Sequence, residues 1–80
     1  MHYVYVIRSL SFPQEYYIDE TTNLKKRLSE HNAGESRHTS KFTPWEFILF
    51  LGFKNTKKAV AFEKYLKSCS GRALLAKRVF

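Results

Sequence analysis

Residues 1–9 read MHYVYVIRS and decide how the rest of the chain is organised. Tyrosine, valine and isoleucine alternate here, and these residue types favour a β-strand with apolar groups on both faces. A strand covered on both faces lies inside a sheet, so we predict a central position for this one. Residues 11–14 (SFPQ) carry a turn signal, and residues 15–19 (EYYID) are therefore predicted to form the return strand of a hairpin.

A helix is predicted directly after the hairpin. It begins near Asn23, is capped by Thr21 or Thr22, and ends at Gly34. A polar loop over residues 33–43 follows it and leads towards the second half of the chain.

The second half of the chain predicts one more strand and two more helices. Residues 45–53 contain the apolar run FILFL, which is long enough for a buried third strand. A helix over residues 55–68 has apolar residues at core spacing, and Gly71 is expected to end it before a short basic helix over residues 72–80. The predicted order is β-β-α-β-α-α. This order indicates an α/β (α+β) fold with a small three-stranded antiparallel sheet flanked by helices.

Size and cysteine content limit the class of protein. Eighty residues suffice for one core, so we expect residues 1–80 to form a single domain. The lone cysteine, Cys69, excludes an intrachain disulfide and a cysteine-based zinc site, which favours a reducing compartment. No apolar run approaches the roughly 18 residues of a membrane span, and strand-like sequence from His2 leaves no room for a signal peptide. We therefore expect a cytoplasmic protein.

Positive charge is the strongest compositional signal. Fourteen Lys and Arg against seven Asp and Glu give a net charge of +7. An excess of this kind favours polyanions, and nucleic acid is the commonest such partner. The alternative is a solvated surface that only aids solubility. The side chains expected to contact nucleic acid are Lys25, Lys26, Arg37, His38, Lys41 and Lys67.

Glu63 is the most informative single residue, because its neighbours at helical spacing are apolar. Ala59 lies one turn before it and Leu66 one turn after it. Burying a carboxylate is costly unless a cation or several donors compensate, so Glu63 requires an ion or a strong partner. The spacing leaves open a metal site, a salt bridge to Arg27 or Lys67, and a simple position at the edge of the apolar stripe.

Two tyrosines and two cations are the other candidates for chemistry. Tyr5 and Tyr17 lie on neighbouring strands of the predicted hairpin, so their hydroxyl groups can meet. Arg27 and His31 are four residues apart and share one face of the predicted helix. Arg27 can grip a phosphate oxygen and favour a phenolate, while His31 can bind a phosphate or pass a proton. The structural alternatives are tyrosines that pack within a sheet and a histidine that stabilises a helix C-terminus.

These motifs together resemble the GIY-YIG nuclease superfamily, in particular its small single-domain bacterial members. Tyr3-Val4-Tyr5 stands where the first signature would be, and Tyr17-Ile18-Asp19 stands where the second would be. The likeness covers essentially the whole chain. It continues through residues 21–28 (TTNLKKRL), 30–32 (EHN), 38–39 (HT), 44–45 (PW) and 59–67.

The resemblance implies a divalent-metal-dependent endonuclease that hydrolyses DNA phosphodiester bonds. Tyr5 and Tyr17 would line the active site, and one of them would help to activate water. Arg27 would stabilise charge on the phosphate, and His31 would assist. Glu63 would hold a single divalent cation, Mg²⁺ or Mn²⁺, which keeps several waters and takes a substrate oxygen as a further ligand.

Asp19 departs from the pattern of that superfamily, because it replaces the glycine of the second signature. A carboxylate there repels a phosphate, and the missing glycine closes off backbone space, unless Asp19 turns away or joins Glu63 on the metal. Tyr3 also replaces a glycine, with little expected consequence. Two other functions therefore stay open: a catalytically weakened nucleic-acid-binding module of the same fold, and a protein-interaction domain.

Overall fold

Three antiparallel strands form one sheet in this computed structural model, which describes residues 1–80. Strand β1 spans His2–Ser9, β2 spans Tyr16–Thr21 and β3 spans Trp45–Phe53. The order across the sheet is β2-β1-β3, so the predicted central position of the first strand is confirmed. The return strand of the hairpin begins one residue later and ends two residues later than predicted. Strand β2 lies at the edge of the sheet and carries both Tyr17 and Asp19.

Helices occupy the predicted places in the chain. Helix α1 spans Leu24–Asn32, α2 spans Thr56–Lys67 and α3 spans Cys69–Arg78, with a short 3-10 helix at Ser40–Phe42. The observed order β-β-α-β-α-α and the antiparallel sheet confirm the predicted fold class. None of these helices combines the length and hydrophobicity needed to cross a bilayer.

The cap of α1 differs from the prediction. Asn23 is the N-cap, and its side-chain oxygen accepts a hydrogen bond from the backbone N–H of Lys26 at 3.1 Å. Thr21 instead accepts a hydrogen bond from the Asn23 N–H at 3.1 Å, so it orders the turn before the helix. The expectation that Thr21 or Thr22 caps the helix was therefore wrong, because both lie too early in the turn.

The break between α2 and α3 also differs from the prediction. Ser68 has an extended backbone that ends α2, and its hydroxyl accepts a hydrogen bond from the Gly71 N–H at 3.2 Å to cap α3. Gly71 therefore lies inside α3 and does not end α2. A side chain at this position would collide with the backbone of Tyr65 and Leu66, so Gly71 permits close packing of the two helices. Arg72 consequently lies in the first turn of α3.

Side chains alternate between two cores on the two faces of the sheet. One face carries Val4, Val6 and Ile18, which pack against Ala59 and Leu66 of α2 and against Leu75 of α3. The other face carries Tyr5, Ile7 and Trp45, which pack against Leu24 and Leu28 of α1. The sheet is therefore covered by helices on both faces, and the two signature tyrosines lie on the face that is covered by α1.

Candidate active site

The candidate site begins on the face of the sheet that carries Tyr5 and Tyr17. In the β1–β2 ladder, Tyr5 is paired with Asp19, and Tyr17 is two residues away on the same face of β2. Helix α1 lies over this face and supplies Arg27 and His31. The alternation of the strands and the four-residue spacing on the helix therefore bring all four predicted groups to one place.

His31 is fully buried and links the helix to the sheet. One ring nitrogen, Nε2, lies 2.9 Å from the Tyr5 hydroxyl, and Nδ1 lies 2.7 Å from the Thr39 hydroxyl. A neutral imidazole has one donor and one acceptor nitrogen, so both nitrogens are used. Burial, followed by the positive charge of Arg27, lowers the pKa of His31. The ring is therefore neutral at neutral pH and holds Tyr5 in place.

Thr39 is a site residue whose role the sequence did not predict. Its hydroxyl contacts His31, and its carbonyl oxygen accepts a hydrogen bond from the Trp45 indole at 2.9 Å. Asn32 adds two further hydrogen bonds to the backbone of Trp45. The loop after α1 is thereby tied to the start of β3, and this fixes the position of His31.

Arg27 is the cation nearest to the two tyrosines. Its Nη1 lies 3.2 Å from a Glu30 carboxylate oxygen, and its Nη2 lies 3.8 Å from Asp19 Oδ2. Burial alone would lower the pKa of Arg27, but hydrogen bonds to Glu30 and Tyr5 raise it. The guanidinium is thus permanently charged and shared between two carboxylates. A phosphate would compete with those carboxylates for it.

Asp19 points into the site. Its Oδ2 accepts a hydrogen bond from the Tyr17 hydroxyl at 3.2 Å, and its Oδ1 accepts one from the Glu20 N–H at 2.9 Å. The same Oδ2 is the atom that faces Arg27. Asp19 therefore does not turn away. It contacts Tyr17 and Arg27, the side chains predicted to act on the attacking water and on the phosphate.

Both signature tyrosines are neutral phenols at neutral pH. Burial, followed by the Asp19 charge, raises the pKa of Tyr5 and also that of Tyr17. Arg27 lowers both values, as the sequence analysis expected, but its effect is outweighed. Tyr5 is completely buried, whereas Tyr17 is partly exposed. Of the two hydroxyl groups, the one on Tyr17 is therefore the one that can meet water or substrate.

Glu63 reaches the site from the other face of the sheet. Helix α2 packs on the face that carries Ile18, the residue next to Asp19 on the edge strand β2. Its side chain is only 15% exposed, and Lys67 Nζ lies 3.5 Å from its Oε2. Burial and the Asp19 carboxyl raise the pKa of Glu63, although Lys67 opposes them. The partner of Glu63 on the protein is therefore Lys67, and Arg27 pairs with other acids.

The pair formed by Asp19 and Glu63 fits a divalent cation. No group of three or more His, Cys, Asp or Glu is arranged to hold a metal. However, the Asp19 carboxyl raises the pKa of Glu63, and a cation beside Glu63 would favour its ionised form. Carboxylate oxygens are the ligands that Mg²⁺ takes, with water and substrate completing its shell.

The side chains expected to contact nucleic acid are all exposed. Lys25 and Lys26 are exposed on α1. Arg37, His38 and Lys41 are exposed on the loop and 3-10 helix that follow it, and Lys67 is exposed on α2 beside Glu63.

Comparison with known proteins assigns the chain to a family. Residues 1–76 match the GIY-YIG catalytic domain, so the chain belongs to the GIY-YIG family and the predicted resemblance is confirmed. It is 36% identical over 70 residues to a UPF0213 protein of Natronomonas pharaonis, which covers 86% of this chain and 80% of that protein. A UPF0213 protein of Haloquadratum walsbyi is 34% identical over 68 residues, covering 84% of this chain and 74% of that protein.

A second group of relatives consists of larger proteins. The chain is 40% identical over 65 residues to the "structure-specific endonuclease subunit SLX1 homolog" of Giardia intestinalis, covering 76% of this chain and 18% of that protein. It is 38% identical over 71 residues to "structure-specific endonuclease subunit SLX1" of Debaryomyces hansenii, covering 80% and 20%. The chain therefore spans about a fifth of the length of these two relatives.

Proposed function

We propose that this protein is a divalent-metal-dependent endonuclease that hydrolyses DNA phosphodiester bonds. The observation that carries this proposal is the cluster of Tyr17, Asp19 and Arg27 on β2 and α1, joined by the Tyr17–Asp19 hydrogen bond of 3.2 Å and the Arg27–Asp19 ion pair of 3.8 Å. The Asp19 carboxyl raises the pKa of the half-buried Glu63, which supports a position for Glu63 beside this cluster. Family membership supports the same chemistry, and we propose that residues 1–80 act as one domain.

Each side chain has a distinct role in this reaction. Arg27 binds a phosphate oxygen after releasing Asp19, and it stabilises the charge that develops in the transition state. Tyr17 holds the attacking water through its hydroxyl group. The water oxygen bonds to phosphorus while the bond to the leaving sugar oxygen breaks. Tyr17 accepts the water proton as it gives its own hydroxyl proton to solvent, and the leaving oxygen takes a proton from solvent. His31 acts through Tyr5, whose hydroxyl it holds at 2.9 Å.

Glu63 would hold the cation, Mg²⁺ or Mn²⁺, at a single site, and Asp19 beside it would strengthen binding by its charge. When bound, the cation supplies polarisation of the phosphate and neutralisation of the leaving oxygen. Asp19 also has an inhibitory effect in this proposal, because it occupies Tyr17 and Arg27 in the free protein. Activity therefore depends on how readily these two groups are released.

The deciding experiment compares purified wild type with Glu63→Gln on plasmid and on branched DNA, with Mg²⁺, with Mn²⁺ and with a chelator. Wild-type cleavage that is lost with the chelator and in Glu63→Gln supports the enzyme. Glu46→Gln is the matched control, because Glu46 is an exposed glutamate on β3. Equal cleavage by wild type and Glu63→Gln would exclude the proposed role of Glu63.

A nucleic-acid-binding module of the same fold is the second candidate function. The contacts of Asp19 with Tyr17 and Arg27 favour it, since they occupy the groups that the chemistry needs. DNA binding without cleavage by wild type would support this module, and affinity should fall with a log–log salt slope of about −0.9 per phosphate contacted. Absence of DNA binding at low salt would favour the third alternative, a protein-interaction domain. The same purified chain can be used to test binding of RNA in place of DNA and binding of a protein partner. Cell fractionation tests the proposed cytoplasmic location.

A further inference from the structure

A concavity of about 340 Å³ lies beside the candidate site, and most of its lining residues have no role in the proposed reaction. It is the only pocket found on the protein. It is bounded on one side by the edge strand β2 with Tyr16 and Tyr17, and on the other by Lys67 of α2 and Arg72 of α3. The helix break at Ser68 and the close packing at Gly71 place these two cations next to each other in space.

The concavity shares two residues with the candidate site. Tyr17 lines it, and the Tyr17 hydroxyl contacts Asp19 at 3.2 Å. Lys67 lines it and also lies 3.5 Å from Glu63. A polymer whose cleaved phosphate lay at Arg27 and Glu63 would therefore have its neighbouring nucleotide at this pocket.

The charges of the pocket favour a single phosphate group. Arg72 is exposed and has no carboxylate within 4.0 Å, whereas Lys67 has only Glu63. The lining therefore contains two cations, Lys67 and Arg72, and one acid, Glu15. An anion can pair with Arg72 without displacing a carboxylate from it. Glu15 would disfavour a second phosphate and can accept a hydrogen bond from a base amino group.

Tyr16 provides a firm aromatic wall. Its ring packs edge to face on Phe80, with 4.9 Å between centroids, and it also packs against the core of Val4, Val6 and Ile18. The Arg8 guanidinium lies 5.6 Å from the centre of the Phe80 ring and supports it from behind. A base can stack on such a ring only when its face is free, which is the case for unpaired bases and not for bases inside a duplex.

We propose that this pocket binds one unpaired nucleotide adjacent to the cleaved phosphate, with its phosphate on Arg72 and Lys67 and its base against Tyr16. The volume lies at the lower end of the ~300–1,000 Å³ typical of small-ligand sites, which suits one nucleotide and not a duplex. This inference rests on the proposed function only for the position of the cleaved phosphate. The selectivity of binding is a separate property that can be measured without any cleavage.

The test measures the binding of fluorescein-labelled DNA at low salt without divalent cations. The two probes are a continuous duplex and the same duplex with a short single-stranded tail. Arg72→Gln is expected to weaken binding of the tailed probe roughly tenfold, as for loss of one charged contact, and to change duplex binding little. Arg78→Gln is the matched control, an exposed arginine of the same helix that lies outside the pocket.

Variants of Tyr16 separate stacking from charge. Tyr16→Phe should keep the preference for the tailed probe, and Tyr16→Leu should lose it, with thermal unfolding used to verify that Tyr16→Leu folds. Equal binding of both probes by wild type, or an equal effect of Arg72→Gln on both, would overturn the pocket proposal. A selective protein that never cleaves DNA would refute the nuclease and leave the pocket standing. Cleavage that requires Glu63 in a protein without selectivity would refute only the pocket.

Discussion

The two halves of the candidate site differ in how their polar groups are satisfied. In the buried half, Tyr5, His31 and Thr39 form a chain of short hydrogen bonds that uses both ring nitrogens of His31. In the edge half, Asp19 serves both Tyr17 and Arg27, and it lies beside Glu63. The buried half therefore acts as a scaffold, whereas the contacts of the edge half are longer and exchangeable. In the proposed function, substrate and cation replace these contacts while the scaffold stays folded.

The largest expected effect is on the edge half. Arg27→Ala should lower cleavage roughly 10²–10³-fold, as for removal of one donor that stabilises transition-state charge. Arg27→Lys should recover little, because an ammonium group lacks the planar fork of donors. Single-turnover cleavage of branched DNA at saturating Mg²⁺ measures both. Lys57→Ala, which removes an exposed cation at the start of α2, serves as the control. Near-normal cleavage by Arg27→Ala would show that the edge half of the site does not act on the substrate in the proposed way.

The buried half should respond in stability. His31→Ala leaves the Tyr5 and Thr39 hydroxyl groups without their partner, and each unsatisfied buried group costs about 1–3 kcal/mol. We expect the free energy of unfolding to fall by at least about 2 kcal/mol, measured by urea denaturation. His38→Ala, at an exposed histidine, should change it little. A stable His31→Ala would show that this chain of hydrogen bonds does not act as a scaffold.

Asp19→Gly tests competition within the edge half. The substitution frees Tyr17 and Arg27 and removes a like charge that costs about 1–4 kcal/mol next to a phosphate, so cleavage at saturating Mg²⁺ should rise roughly tenfold. It also removes the second carboxylate, so the Mg²⁺ concentration at half-maximal activity should increase. Titration of Mg²⁺ separates the two effects. Unchanged or lower cleavage at saturation would mean that Asp19 does not obstruct the phosphate.

The smallest expected effect is the pH dependence of stability. The pKa of His31 is lowered in the folded protein, so protonation favours the unfolded chain, whose histidine titrates near 6.5. The contribution of His31 is therefore complete above about pH 6.5 and is lost as the pH falls below that value. Urea denaturation between pH 7.5 and 5.5 measures this loss. It should be smaller in His31→Gln, and an identical pH profile in that variant would assign the loss to other groups.

Local patterns predicted the fold well. Residues 45–53 form a strand with the predicted bounds, because the segment is rich in aromatic residues and has an unbroken apolar run at residues 47–51. The pairing of Arg27 with His31 also followed from helical periodicity alone. The break between α2 and α3 was misplaced at Gly71 because the residue that ends α2 is Ser68, which uses its hydroxyl as a cap. Gly71 is required for contact between helices, and that need has no local signature.

Long-range contacts in the site were less accessible from the sequence. Thr39 lies eight residues after His31 across a loop, so no periodicity connects them. Glu63 was predicted from its apolar neighbours, but its meeting with Asp19 depends on β2 being the edge strand of the sheet. The direction in which the Asp19 side chain points also depends on the edge position of β2. Strand order decides which carboxylates can approach one another, and a single sequence carries only a weak signal of strand order.

The tight crossing of the last two helices at Gly71 has a wider consequence. A single methyl group there would push α3 away from α2 and carry Arg72 outward with it. The width of the concavity beside β2 is therefore set by Gly71, which does not line it. Evolution or engineering can adjust the reach of that arginine through inter-helix spacing alone, while every catalytic side chain stays unchanged.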